Sequence, residues 1–222
     1  MVFDKNFDLS AVRDDSYYIQ ARPEMLKYIP EDSGRILDVG CGAGLFAGRL
    51  KEKLKAEVWG VEIDKSAAAL AQDRIDRVLV GDISKLQDEL PKAYFDCIIF
   101  NDVLEHLVDP FGLLSKIKDK LDSNGAVVSS IPNVRFLRIL KDLLLKKQWK
   151  YAECGILDKS HLRFFTRQSI IDMFGVLDYE ILKIEGLSPR KTSWGFNLLS
   201  FLTLGNLSDT KYPKFACIAK PK

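Results

Sequence analysis

The apolar residues of this chain fall mostly in short continuous runs, each followed by a stretch with helical spacing. "RILDVG" (residues 35–40) is the first run, interrupted only by Asp38, and predicts a strand covered on both faces. Leu45 to Leu54 carries apolar residues at helical spacing with Lys and Glu outside, which predicts a helix. "AEVWGVEID" predicts a second strand, "KSAAALAQDRI" a helix, and "RVLVGDI" a third strand. "YFDCIIFNDV" is the fourth strand, continuous in apolar character as a central parallel strand should be. "PFGLLSKIKDKL" opens on proline and stops before "DSNG", a helix with start and stop signals, and "GAVVSSIPN" is a fifth strand. Alternation with short links implies an α/β fold, a parallel sheet with helices on both faces.

The alternation stops after Pro132. Residues 133–165 are basic and aromatic and read as an insertion covering the substrate side. "RQSIIDMFGVL" returns as a helix capped by Thr166, "DYEILKIEGLS" as a strand and "PKFACIAKPK" as the last strand, with a second insertion at 189–212. The last two strands are expected to pair like a hairpin. Upstream, residues 10–29 predict helix, interrupted or restarted at Pro23, and residues 1–30 an N-terminal helical lid. No repeat or linker divides the 222 residues, so a single domain, 1–222, is expected.

Composition narrows the classes. A hydrophobic fraction of 47% and a charged fraction of 29% are those of a soluble globular protein. A net charge of +2 gives no reason to expect nucleic acid as partner. Cys41, Cys97, Cys154 and Cys217 are far apart, which reads as reduced thiols in a cytoplasmic protein. The charged first ten residues do not read as a signal peptide. The most apolar stretch, residues 194–207, is shorter than the roughly 20 residues of a membrane span.

The chemistry starts at the glycines. Gly40, Gly42 and Gly44 are spaced by two and two, and Leu45 stands where a dinucleotide fingerprint has its third glycine. No Gly-Lys-Ser/Thr follows, which excludes a P-loop. Asp38 just before the loop would repel a pyrophosphate and suits a ligand with positive charge nearby. Glu62 ends the second strand, where a carboxylate can accept from both ribose hydroxyls. Asp82 ends the third and can accept from an adenine amine. Each acid alone could simply cap the next helix, but three at successive strand ends, beside the loop, point to a ligand.

"ILDVGCGAG", "VWGVEID", "VGDI" and "FDCIIFNDVLEHLVDP", in this order, resemble the class I S-adenosylmethionine-dependent methyltransferases, closely over residues 30–132 and loosely to the end. The resemblance implies a doubly wound, Rossmann-like seven-stranded sheet, its last strand antiparallel and inserted beside the fifth. It implies S-adenosyl-L-methionine as cofactor, with Gly40, Gly42 and Gly44 near the methionine portion and Glu62 on the ribose. Asp82 and Ile83 would face the adenine, Asn101 would lie near the sulfonium, and Ile63 joins the cofactor-binding set.

A sulfonium methyl is already activated, so a nucleophile must be aligned with it and, for a hydroxyl, deprotonated by a base or a metal. The chain has two histidines. Asp102-x-x-Glu105-His106 is similar to the Glu-x-x-Glu-His segment of ubiquinone-pathway O-methyltransferases and small-RNA 2′-O-methyltransferases, where those side chains hold Mg²⁺. Here Asp102 is one methylene shorter, and His161 is a candidate further ligand. Without metal, His106 either supports the cofactor pocket or serves as a base. His161 is either the acceptor-side base or a locally packed histidine. "DKSHLRFFT" resembles a segment of methyltransferases encoded with polysaccharide-assembly enzymes, which favours a sugar or glycolipid hydroxyl. Arg163 is then expected to steer an anionic group such as a diphosphate, and Asn133 to touch substrate.

Residues 135–150 form a basic amphipathic helix, either a lid docked on the domain or a contact for an anionic membrane surface or lipid-linked substrate. The apolar second insertion is core packing, a homodimer face or a substrate wall. Tyr17, Tyr18 and Arg22 are expected over the cofactor carboxylate. The expected activity is methyl transfer to an oxygen of a small molecule or glycan precursor. The alternatives are N-methylation, or cofactor binding without catalysis by a protein whose lid binds a membrane or protein partner.

Overall fold

The computed structural model describes residues 21–222. Seven strands form one sheet: β1 (Arg35–Val39), β2 (Glu57–Glu62), β3 (Arg77–Val80), β4 (Phe95–Asn101), β5 (Leu121–Pro132), β6 (Tyr179–Leu187) and β7 (Lys214–Pro221). Their order is β3-β2-β1-β4-β5-β7-β6. The first five are parallel neighbours where they pair, whereas β7 runs antiparallel to both β5 and β6. The expected insertion of the last strand beside the fifth is therefore observed.

The helices are α1 (Leu45–Leu54), α2 (Lys65–Gln72), α3 (Ile83–Leu86), α4 (Pro110–Ile117), α5 (Leu137–Lys146), α6 (Arg167–Val176) and α7 (Trp194–Leu202). Two buried clusters account for a sheet covered on both faces. Leu37, Ile98, Phe100 and Val127 pack on one side with Leu113, Leu114, Ile170 and Phe174. Ile36, Val58, Cys97 and Ile99 pack on the other with Phe46, Leu50 and Ala71. Alternate residues of one strand thus serve opposite cores, which is why these runs are apolar without a break. Local caps agree with the pattern. Asp64, Asp82, Asp109 and Thr166 each accept a hydrogen bond from the first turn of the helix they precede.

Three expectations change, and one lies outside the described residues. Pro23–Tyr28 is a 3-10 helix, because Arg22 is left-handed, Pro23 starts the turn and Pro30 ends it. The Tyr17 and Tyr18 expectation, like most of the N-terminal lid, lies outside the described residues. The fifth strand starts four residues early, through a register irregularity opposite Phe95–Cys97. Gly125 permits it, since a Cβ there would stand 2.7 Å from the Phe95 carbonyl oxygen. Finally, the basic helix covers only Leu137–Lys146, with Leu137, Ile139 and Leu140 half-buried and none of its side chains fully buried. Arg135, expected on it, instead binds Asp209 and the Asn206 carbonyl in the second insertion.

Candidate functional site

The carboxyl tips of β1, β2 and β4 meet around the glycine turn. Gly40, Gly42 and Gly44 have φ of 72°, 53° and 75°, the left-handed region in which a side chain is strained. At Gly40 there is also no room, because a Cβ would lie 2.7 Å from Val103 Cγ2. The turn is held from below. Gly40 and Cys41 donate to the Val61 carbonyl, and Gly42 donates to Glu62 Oε2 at 2.8 Å. The second Glu62 oxygen accepts from the Asp64 amide at 2.9 Å. Glu62 is buried, which raises its pKa against the lowering effect of those amides. It therefore shapes the loop, a role that periodicity could not reveal.

Asp38 is 2% exposed, and burial, opposed by Arg22 and reinforced by Glu62, pushes its carboxyl up to about 7. Its Oδ1 has no hydrogen-bond partner among the described residues. The register Val39↔Phe100 sets Gly40 beside Asn101, whose buried amide likewise leaves both polar atoms without partners. Buried polar groups are rarely left so. A ligand with hydrogen-bonding groups and positive charge would satisfy both, and the residues fit S-adenosylmethionine in that sense. Ile63 is 68% exposed at the tip of β2, as an apolar platform would be, while Ile83 is buried. Asp82 caps α3 by accepting from the Ser84 amide at 2.9 Å. That is the capping alternative, and only its second oxygen is left for a ligand.

The acceptor side is built where the chain leaves β4. Asp102 has φ of 54° and turns its side chain toward two cations, Arg22 and Lys214, with Ser130 Oγ donating at 3.1 Å. Burial opposes ionisation of Asp102, but Lys214 and Arg22 outweigh it and hold the carboxyl below its usual range. This corrects one expectation, for Asp102 is an ion-pair centre rather than an open metal ligand. Arg22 binds it and also acts electrostatically on Asp38 beside the glycine turn.

Glu105 and His106 lie in the 3-10 turn Leu104–His106. Glu105 is fully buried and both its oxygens lack partners among the described residues. Burial, with Asp102 nearby, raises its carboxyl well above the usual range. The Leu162 and Arg163 amides donate to the Glu105 carbonyl and stitch residues 160–165 over this turn. His161 is thereby brought to 3.9 Å from Glu105 Oε1 through Nε2, with its ring edge-on to His106 at a centroid distance of 4.6 Å. His161 Nδ1 donates to the Ile156 carbonyl at 3.0 Å, which leaves Nε2 as the basic nitrogen. Burial lowers its pKa, partly offset by that carbonyl. His106 Nδ1 lies 3.1 Å from the carbonyl of Ser160, whose hydroxyl donates to Asp158.

One ligand atom from each of Glu105, His106 and His161 lies within 4.8 Å of the others. They border a cavity of about 80 Å³, closed by Pro132 and Lys214 on one side and by residues 154–158 on the other. Sequence reasoning missed Lys214. The pairing of Pro132 with Lys214 brings it in, and that register is invisible before the antiparallel strand is placed.

Two expected substrate residues fall elsewhere. Asn133 is fully buried, donates to the Asp209 and Tyr212 carbonyls and accepts from the Arg135 amide. It ties the two insertions together and does not line the cavity beside Glu105 and His161. Arg163 is exposed, binds the Val108 carbonyl and does not border the cavity, so it is not placed to steer an anion into it.

A family model described as a methyltransferase domain matches residues 12–184. The ubiquinone biosynthesis O-methyltransferase of Bradyrhizobium diazoefficiens is 34% identical over 102 residues, 45% of this chain and 40% of that protein. An uncharacterized methyltransferase of Mycobacterium tuberculosis is 36% identical over 114 residues, 48% of this chain and 56% of its own length. The chain thus spans only about half of these curated relatives. An S-adenosylmethionine-dependent methyltransferase structure from Archaeoglobus fulgidus matches with a TM-score of 0.65 at 23% identity, covering 89% of this chain and 91% of that one. That likeness speaks for the fold, and the family match agrees with the glycine turn and its ring of acids. The chain belongs to the class I S-adenosylmethionine-dependent methyltransferase family.

Proposed function

We propose that this protein transfers a methyl group from S-adenosylmethionine to a hydroxyl oxygen of a small molecule or glycan precursor. The observation that carries the reading is the buried Glu105–His161 pair, which lines the cavity beyond the tip of β4; among the described residues His161 Nε2 has no hydrogen bond, while Nδ1 is held by the Ile156 carbonyl. A nitrogen acceptor needs no such base, whereas a hydroxyl does. The cofactor supplies the activated methyl. Gly40, Gly42 and Gly44 allow the backbone close to it, Glu62 fixes their amides, and Asn101 and Asp38 offer the open polar atoms. The cavity, of about 80 Å³, has room only for a small end of the acceptor such as a hydroxyl-bearing carbon. His161, neutral because burial lowers its pKa, takes the hydroxyl proton on Nε2, and Glu105 faces the imidazolium so formed.

A divalent metal is a second reading, favoured by the approach of Glu105, His106 and His161. With Asp102 held by two cations, the donor set is one carboxylate and two imidazoles. Mg²⁺ prefers oxygen, so this set suits a transition metal better. The bonds of His161 and His106 to carbonyl oxygens through Nδ1 are the support such ligands usually have.

The test incubates the protein with methyl-labelled S-adenosylmethionine and fractionated cell extract, with and without chelator, and follows labelled products by mass spectrometry. A labelled methyl ether in the presence of chelator supports His161 as the base, whereas a labelled methyl ester or amine, whose acceptor needs no base, counts against it. Loss with chelator and recovery with Mn²⁺ or Zn²⁺ supports the metal reading. Cofactor binding with no labelled product from any fraction sinks both.

A further inference from the structure

We infer that the two insertions together form a docking face for an anionic phospholipid surface, separate from the methyl-transfer cavity. Between α5 and residues 190–192 runs a groove of about 460 Å³ with an apolar floor from Phe136, Leu137 and Leu145. Arg138, Lys141, Lys146, Arg190, Lys191 and Lys211 line it. Its one acid, Asp142, is already paired with Lys146. Both walls are fixed to the same frame, Arg190 through its amide to the Lys211 carbonyl and Arg135 to Asp209. The cations are therefore gathered from three segments and not merely spread along one helix.

The two insertions that supply the groove also expose large apolar side chains. Leu144 and Leu145 on α5 are open to solvent, as are Trp194, Phe201 and Leu202 on α7 and Leu204 beyond it. Exposed leucines and aromatics interleaved with lysine and arginine are what an interfacial lipid contact uses: the side chains enter the headgroup layer and the cations meet phosphates. A second copy of this chain would not fit the same face, because a two-fold contact would set the uncompensated cations against each other. Nucleic acid would match the charge but leaves the aliphatic leucines without a role. Among the described residues no helix is long and apolar enough to cross a membrane, so the contact is peripheral.

The tryptophans supply the readout, since Trp59 is buried whereas Trp149 and Trp194 lie in the two insertions. The full chain, without cofactor, is mixed with vesicles of phosphatidylcholine or of equimolar phosphatidylcholine and phosphatidylglycerol. Co-sedimentation and a blue-shifted tryptophan emission are expected with the anionic vesicles only, and both should fade with added salt. Each cation near such a surface strengthens binding about fivefold. The double charge reversal Lys141→Glu/Lys191→Glu, on exposed side chains, should therefore weaken binding at least about tenfold. The apolar pair Leu144→Ser/Phe201→Ser should weaken it several-fold and abolish the blue shift. Equal binding to neutral vesicles, no binding to either, or unchanged binding by the charge-reversed variant overturns the inference. So does preference for duplex DNA or inorganic diphosphate over the anionic vesicles.

Discussion

Glu105 Oε1 and His161 Nε2 face each other at 3.9 Å inside the protein, where burial raises the pKa of the carboxyl and lowers that of the imidazole, so both shifts favour the uncharged forms. Neither group could tolerate its site alone in the charged form, so each is set to accept charge only when the other compensates. His161→Ala should lower turnover at least about 100-fold, the usual range for a lost general base. Calorimetric affinity for S-adenosylhomocysteine should stay within about twofold of wild type, because His161 does not touch the glycine turn. Turnover should also fall as pH drops through a value below 6.5, where the lowered His161 pKa lies and the base becomes protonated. A parallel loss of cofactor affinity, or a flat acid limb, would place His161 among the packing residues.

With its raised pKa, Asp38 is expected to couple cofactor binding to a proton. Its folded pKa of about 7 lies above the 3.8 of an ordinary aspartate, so between these values the folded state holds a proton that the unfolded chain lacks. Stability from this group is thus present at low pH and lost as pH rises through 7. Asp38→Asn should raise stability by on the order of 2 kcal/mol at pH 8 and by little near pH 4. A cationic ligand arriving beside the carboxylate lowers its pKa. Titrations of S-adenosylmethionine near pH 6.5, in buffers of different ionisation enthalpy, should show release of a fraction of a proton, absent in Asp38→Asn.

Gly40→Ala combines strain with collision. The new Cβ would sit at φ of 72° and 2.7 Å from Val103 Cγ2. A cost of about 1–3 kcal/mol is expected from the two effects together. Adding Val103→Ala should restore part of the melting temperature by removing the collision, while the backbone term persists. If Gly40→Ala alone melts like wild type, the turn is less constrained than its dihedrals indicate.

Asn133 tests the correction made above. Its three hydrogen bonds are wholly internal, so Asn133→Ala should cost about 2–3 kcal/mol by leaving buried carbonyl and amide groups unpaired. Once the acceptor is known, its KM should be unchanged at temperatures where the variant is folded. A raised KM with normal stability would return Asn133 to the substrate.

The five parallel strands, the glycine turn and the acids Asp38 and Glu62 were legible because they rest on short-range signals: unbroken apolar runs and φ-demanding glycines. Thr166 was legible for the same reason, since a cap acts within one turn. What escaped was long-range. Lys214 reaches Asp102 only after β7 enters antiparallel beside β5, and Asn133 is enlisted by carbonyls far along the chain. Side chains read as facing a ligand were already committed to distant partners, as Arg22 and Asp102 are to each other. The resemblance named the right segment for the metal question, yet the acid one methylene short is the one the structure assigns elsewhere.

The placement of β7 between β5 and β6 also has a bearing on how the protein is made. During synthesis the β1–β5 half can assemble first, yet β5 then presents an unpaired border next to the apolar residues Val127, Val128 and Ile131 until the segment around Phe215–Ala219 emerges. Lys214, which lines the cavity beside Glu105 and His161, arrives with that late strand. Nascent chains therefore pass through a stage that has the nucleotide-side half but no finished reaction chamber, and that stage is the one most in need of a chaperone.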